Sequence, residues 1–563
     1  MSSLTKTFVA CLLGSLLPSP AVAQGGGTWT IFHQFDGVAD NNNLGYSVAG
    51  AGDVDGDGCD DVIVGAPYPS GAGAAYVYSG ASGGILWTFT GVGGLFGYSV
   101  AGAGDVDADG YPDLLVGAPV LSPGGSVYVF SGGTGSQLCQ FSGATVGEYF
   151  GGAVAGAGGD LDLDGYDDWV VGAPYANLPG APDAGLVYVF SGCNPSFIHS
   201  VAGASGDRLG YSVASAGDVD TDQINDLILG AIHASPGGLL YAGSAFVYSG
   251  ATFNLIHRYD GLAGGDRFGR SVSGAGDLDG DGYGDLIIGA HHADPSGKTD
   301  AGSVYLYSGA TPFIEICRLD GEIGDEFGTS VAGAGDINSD GCCEFIVGVR
   351  YADPVGRTNA GSAHVYSYDG LNSCSLLFQL DGEAAEDALG YSVANAGNVN
   401  GNGGDDFIVG ALYADPGGLR EAGSAYVFGL ELALTASAAS LSAAAGAVIN
   451  YYIDFELSDA GVNYRLLGSA TGTGPTILGG MRVPLTSGDW LWDAMLASPQ
   501  PNVFQNGSGI LDANGDATVT LTVPAGVASI FIGSTFYFAA GLYLPATYTG
   551  LKSSQAVSLT ILP

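Results

Sequence analysis

Basic residues are scarce in this chain. Only 13 of its 563 residues are Lys or Arg, against 57 Asp and Glu, for a net charge of −44. With no basic patch to neutralise phosphates, nucleic acid is excluded as an expected partner. Helical periodicity is missing too from the repeated part of the chain, which argues against a helical fold there. No run of about 20 apolar residues offers a transmembrane span. The uncharged stretch 517–551 comes nearest, but Gly533, Ser534, Gly541 and Pro545 interrupt it, and the pieces between read as strands. Histidines number only seven, so candidates for a catalytic base are few.

What the chain has in abundance is glycine, 99 residues, set in a phrase that occurs seven times. Clear copies are FGYSVAGAGDVDADGYPDLLVGAP (96–119) and FGRSVSGAGDLDGDGYGDLIIGAH (268–291). The acidic loop of successive copies begins at Asp53, Asp105, Asp160, Asp218, Asp277, Asp336 and Asn398, in steps of 52 to 62 residues. A period near 50 marks a propeller or solenoid of one supersecondary unit. Each period holds about four short strand patterns rich in Val, Ile, Tyr and Phe, bounded by Gly, Pro and Asp. Seven units of four antiparallel strands predict an all-β fold, a seven-bladed β-propeller, over residues 24–430. The small residues of SVAGAG suit the innermost strand, where blades crowd the axis. The last unit ends at GSAYVFG (423–429) without a fourth strand, while IFHQFDG (31–37) resembles the fourth strand LIHRYDG (255–261). The N-terminal segment is therefore expected to complete the seventh blade and close the ring.

The acidic loop of the fifth unit is Asp277-Leu278-Asp279-Gly280-Asp281-Gly282-Tyr283-Gly284-Asp285. Side chains at positions one, three and five can turn to a common centre. A backbone carbonyl at seven adds a ligand, the acid at nine closes the shell, and glycine at six permits a tight turn. Hard oxygen ligands in this number suit Ca²⁺. Closure at nine and flanking strands make this a hairpin loop rather than an EF-hand. The same pattern gives Asp53, Asp55, Asp57 and Asp61; Asp105, Asp107, Asp109 and Asp113; and Asp160, Asp162, Asp164 and Asp168. The fourth unit has Asp218, Asp220, Asp222 and Asp226, with Gln223 at the glycine position. The sixth has Asp336, Asn338, Asp340 and Glu344, and the seventh Asn398, Asn400, Asn402 and Asp406. Ligand charge helps set affinity, so the seventh site is expected to be weakest. These loops supply 24 of the 57 acidic residues. Much of the charge is thus cation-site charge, whose self-repulsion destabilises a metal-free fold.

These residues resemble the FG-GAP repeats of integrin α-subunit heads. FG stands at 96–97, 150–151, 268–269 and 327–328, with LG in the other three units; GAP stands at 65–67, 117–119 and 172–174 and is altered in the later units. The resemblance spans about residues 28–430. It implies a seven-bladed propeller with Ca²⁺ in the hairpins between first and second strands. No inserted von Willebrand-type domain, leg domain or membrane anchor is read here, so integrin signalling does not carry over.

At the N-terminus, Lys6, an apolar stretch and Ala21-Val22-Ala23 before Gln24 read as a signal peptide over residues 1–23. The chain is expected to be secreted, extracellular or on the cell surface. Downstream stand seven cysteines, an odd number: Cys59, Cys139, Cys193, Cys317, Cys342, Cys343 and Cys374. Cys139 and Cys317 fall in equivalent strands of distant units and are not expected to pair. Neither a disulfide framework nor zinc-cluster spacing of cysteines is read here. Residues 431–563 shift toward Ala, Thr and Ser. The alternation of ATVTLTV (517–523) and about eight strand-like segments predict a small β-sandwich. LDANGDATVTLTVP (511–524) resembles a C-terminal module of secreted bacterial repeat proteins.

Glycine-x-serine recurs as GYSVA, GRSVS and GTSVA. Its presence in most units makes it architectural, since catalysis needs one site and a nucleophile elbow needs a strand-to-helix turn. Ligand-binding candidates follow the second strand: Tyr175, His233, His292, Tyr351 and Tyr413, with His291 beside them. These loops gather on the face opposite the acidic hairpins, where a ring of Tyr and His could take a sugar or peptide. No catalytic residue is assigned. The favoured reading is a monomeric calcium-binding adhesion or ligand-recognition scaffold for an extracellular protein or glycan. The alternatives are an extracellular enzyme acting on polysaccharide or lipid, and a structural cell-envelope protein.

Overall fold

The computed structural model describes residues 28–431 apart from 68–71, 193–195, 339–341 and 369–372, together with separate strand segments between 434 and 562. The segment read as a signal peptide, 1–23, lies outside the described residues, as does Asp340. Seven four-stranded antiparallel sheets follow one another along the chain. In blade one the strands are Ser47–Gly52, Asp61–Ala66, Ala74–Tyr78 and Ile85–Thr90. Among the described residues the only helical turns are four short 3₁₀ segments, such as Pro295–Gly297, in the loops after the second strand.

Burial follows strand order. Every residue of the second strand is buried in all seven blades, which explains its continuous apolar sequence, DVIVGA or DLIIGA. Each of the seven apolar clusters joins two neighbouring blades: Phe268, Val272 and Leu286 of blade five pack with Ile228 and Val247 of blade four. First strands crowd the axis. A methyl group at Gly102 would lie 2.9 Å from the Gly50 carbonyl, and one at Gly333 would lie 2.7 Å from that of Gly274. The Gly and Ala of SVAGAG are therefore steric requirements.

The repeat motif itself is an inter-blade latch. The glycine of the FG or LG pair takes positive φ in every blade, and in blades one, two, three, five and six it donates its N–H to the GAP-position glycine carbonyl of its own blade, as in Gly328 to Gly348 at 3.1 Å. Its own carbonyl lies against the GAP glycine of the preceding blade, so that a Cβ at Gly289 would collide with the Gly328 oxygen. This accounts for the glycine surviving where the proline has become Ile232, His291, Arg350 or Leu412. Gly289→Ala is expected to cost about 1–3 kcal/mol of stability as an overpacked site. A urea midpoint equal to that of the parent chain would refute the latch.

The ring closes as the sequence predicts. Thr28–Asp36 pairs antiparallel with Ser424–Glu431 and becomes the outer strand of blade seven. Phe35 stacks on Tyr78 of blade one at 3.8 Å, and Trp29 on Phe378 of blade six at 4.7 Å. One expectation fails. Cys317 and Cys374 form a disulfide, with Cα atoms 6.3 Å apart, and Cys139 is also disulfide-bonded. Cys317 and Cys374 lie in the fourth strands of adjacent blades, which pack face to face at the rim. As expected, Cys139 and Cys317 do not join each other; Cys59 and Cys343 are free.

Beyond the propeller, strands build a four-stranded and a six-stranded sheet plus a hairpin. Ala447–Asp454 pairs with Asp516–Val523 along its whole length. The uncharged stretch 517–551 contains the strand Thr535–Leu544 and the start of Thr549–Ser553. Among the described residues, no helix is long and apolar enough to cross a membrane.

Candidate functional site

The acidic hairpins connect first and second strands at one end of each blade. In blade one, Asp53 accepts the N–H groups of Asp57 (3.0 Å) and Gly58 (2.9 Å), while Asp55 also accepts from Asp57 (3.1 Å). The loop thus curls around its own carboxylates, and Gly58 takes the positive φ of 92° that this demands. Asp61 at position nine is fully buried, its two oxygens accepting from Val54 and Gly80 at 2.9 Å. It therefore ties the hairpin to the end of the third strand as well as facing the loop. Asp113, Asp226 and Asp285 repeat both bonds. Burial pushes the carboxyl up to about 7 at Asp61, Asp113, Asp168 and Asp285, to about 6 at Asp226 and to about 8 at Asp406, with the backbone donors pulling the other way.

Ligand atoms within 4.8 Å of one another are offered by Asp53, Asp55 and Asp57; by Asp105, Asp107 and Asp113; by Asp160, Asp162 and Asp168; and by Asp218, Asp220 and Asp226, groups that could hold a metal ion. The fourth loop keeps its shape because Gln223 itself adopts positive φ, 74°, and donates to Asp218 at 2.9 Å. In blade six the Asn338 amide donates to Glu344 at 3.0 Å. In blade seven Asn400 donates to Asp406 at 3.3 Å and Asn402 to the Leu430 carbonyl at 3.0 Å. There the amide groups supply the positive ends that the aspartate loops lack.

Sequence reasoning missed the acids at position eight. Asp60 accepts the N–H of Asn398 at 2.7 Å, Asp167 that of Asp105 at 2.8 Å, and Asp405 that of Asp336 at 3.0 Å. Each reaches from one blade to the first residue of its neighbour's loop. Its spacing is visible in the sequence, but its cross-blade partner is not.

At the opposite end of the first strands, an axial cavity of about 280 Å³ opens. Its wall is set by the residue between glycine and serine in six of the seven phrases, Tyr46, Tyr98, Tyr211, Arg270, Thr329 and Tyr391, with Gly152 at that position in the third, joined by Tyr149 and Tyr175. The rings contact one another around the axis: Tyr46 lies 4.8 Å from Tyr98 and 5.1 Å from Tyr391, and Tyr98 lies 5.8 Å from Tyr149. Arg270 sits over Tyr211 at 5.1 Å. The serines are structural, as expected: Ser99, Ser212 and Ser392 each donate to a glycine carbonyl of the next blade at 2.8–2.9 Å. The varying middle residue carries the chemistry, and the sequence reading passed over it.

Of the predicted ligand-binding residues, only Tyr175 lines this cavity, with Arg208 over its ring at 4.5 Å. Tyr351 lies under Arg350 at 4.4 Å, and Tyr413 is exposed. His233 packs on Tyr241 at 4.6 Å; burial, then Arg208 and Arg267, lower it to about 4. His292 contacts Asp300 at 3.0 Å.

These features define a seven-bladed β-propeller with acidic hairpins on one face and an aromatic cavity on the other. Residues 44–78, 96–130, 151–190, 268–307 and 327–366 match the FG-GAP repeat. The chain thus carries FG-GAP repeats within its seven-bladed propeller, and it is similar to integrin α-subunits. It is 36% identical over 215 residues to integrin alpha-V of Gallus gallus, covering 34% of this chain and 20% of the relative. Integrin alpha-5 of Xenopus laevis is 35% identical over 217 residues (35% and 20%), and integrin alpha-PS5 of Drosophila melanogaster 34% over 208 (34% and 19%). The chain thus spans about a fifth of the length of these relatives.

Proposed function

We propose that the chain is a secreted ligand-recognition or adhesion scaffold whose hairpins bind Ca²⁺ and whose axial cavity receives part of an extracellular protein or glycan. The observation that carries this reading is the cavity, ringed by tyrosines and Arg270 and facing away from the hairpins. Phenol rings and hydroxyls suit the stacked faces and hydroxyls of sugars, and equally the side chains of a protein loop. The role is binding rather than catalysis, in keeping with serines already committed to inter-blade hydrogen bonds. The Ca²⁺ ligands are Asp residues at loop positions one, three, five and nine in blades one to five, with weaker sites in blades six and seven. The similarity to integrins supports the reading, and the boundaries 1–23, 24–430 and 431–563 are part of it. Glycan and protein arrays probed with and without EDTA test it. Calcium-dependent binding that Tyr98→Ala abolishes is the expected result. Binding retained when the cavity tyrosines are replaced would overturn it.

A further inference from the structure

A second constellation lies at the junction of blades five and six, outside the acidic hairpins and the axial cavity. The second strand of blade five, Asp285–Ala290, runs directly into His291 and His292. Blade six opens with Glu326 just before its FG pair. One ring nitrogen of each histidine and one carboxylate oxygen of Glu326 lie within 4.8 Å of one another. The imidazole centroids are 4.2 Å apart, nearly perpendicular at 80°.

His292 is oriented for ligation. Its Nδ1 contacts the Asp300 carboxylate at 3.0 Å, leaving Nε2 3.7 Å from Glu326 Oε1. Two bonds of about 2.0–2.2 Å meeting at a tetrahedral zinc place their donor atoms roughly 3.3–3.6 Å apart, so the observed gap is close to what the ion requires. A carboxylate on the remote ring nitrogen is the usual support of a metal-bound imidazole. The Asp300 carbonyl also accepts the Glu326 N–H at 3.1 Å, which ties this loop to the third ligand.

His291 supplies the independent sign. Its side chain is only 3% exposed, yet its buried Nδ1 has no hydrogen-bond partner. A buried polar atom left without a partner is costly and calls for an explanation, an ion among them. Arg350 neutralises the other Glu326 oxygen at 2.5 Å, leaving Oε1 for a cation.

No other junction carries the set. The positions of His291 and His292 are occupied elsewhere in the sequence by Pro67 and Tyr68, Pro119 and Val120, Pro174 and Tyr175, Ile232 and His233, Arg350 and Tyr351, and Leu412 and Tyr413. At the position of Glu326 stand Asn43, Leu95, Tyr149, Arg208, Arg267 and Ala388. Two imidazoles and a carboxylate suit a borderline transition cation and not calcium, whose ligands are oxygens.

We propose that His291, His292 and Glu326 bind one Zn²⁺ across blades five and six, with Asp300 supporting His292 and the fourth position open to water or a ligand carboxylate. The test is isothermal titration of Zn²⁺ into the full chain with Ca²⁺ held in excess, so that the acidic loops are occupied. One equivalent is expected to bind, and His292→Ala or Glu326→Gln to remove it. Asp300→Asn, which touches no metal, should weaken it roughly 10–100-fold. Melting temperatures measured without zinc show whether each variant folds; where His292→Ala does not, Asp300→Asn decides. Absence of zinc binding to the parent chain would overturn the proposal. So would binding undiminished in a folded variant, which would assign it to the free cysteines or the hairpins.

Discussion

Calcium added to the metal-stripped chain is expected to raise its melting temperature by roughly 15 °C at neutral pH and by much less near pH 5. A site filled at a hundred times its dissociation constant stabilises the fold by about 2.7 kcal/mol. Five fully acidic loops together reach on the order of the whole net stability of a typical domain, about 5–15 kcal/mol. Unfolding entropy of about 2.1 cal/mol/K per residue, over roughly 400 propeller residues, turns that sum into the stated shift. The pH dependence follows from the acids at position nine. Burial raises Asp61, Asp113, Asp168 and Asp285 to about 7 from an ordinary value of 3.8. Without metal, the folded chain therefore holds protons that the unfolded chain has released. That contribution to stability is complete below about pH 4 and is lost as pH rises through 7. Calcium reverses the trend, because it binds the deprotonated form and competes with protons. Thermal melts from pH 5 to 8, in EDTA and in millimolar Ca²⁺, measure both effects. Curves that coincide, or metal-free stability that climbs with pH, would refute the assignment.

Deleting Trp29–Asp36 is expected to abolish the cooperative melt of the propeller or to lower its midpoint by more than about 10 °C. The deletion removes nearly all of a paired outer strand, including the Ser424 to Asp36 hydrogen bond of 2.8 Å. Each lost hydrogen bond costs about 0.5–1.5 kcal/mol. Phe35 and Trp29 leave the cores shared with blades one and six, each worth about 1.5–3 kcal/mol of burial. The strand Ser424–Glu431 would also be left as an open edge, which invites association. Phe35→Ala serves as the milder control, at about 3–5 kcal/mol. An unchanged midpoint and elution volume would mean that the ring is not held by this strand.

Ring closure was legible because IFHQFDG copies a fourth strand, and the hairpins were legible because their aspartates recur in register. The disulfide was not. Cys317 and Cys374 are separated by 57 residues, about one period, and only the stagger of adjacent blades brings two fourth strands together. The cavity was hidden for a different reason. Its wall is built from a position of the phrase that changes between units, Tyr46, Tyr98, Tyr211, Arg270, Thr329 and Tyr391, whereas repetition draws attention to the positions that do not. Glu326 was hidden likewise, being unremarkable until the fold sets it against the two histidines of the preceding blade.

The inner strands have a mechanical consequence. Ser47–Gly52 and its counterparts are rods of about 20 Å, with the acidic hairpin at one end and a cavity residue at the other. Clamping the hairpin ends fixes how far the rods can tilt. The tyrosine ring and the acidic hairpins are thus carried on the two ends of the same seven rods, so that neither face can be rebuilt without the strands that hold the other.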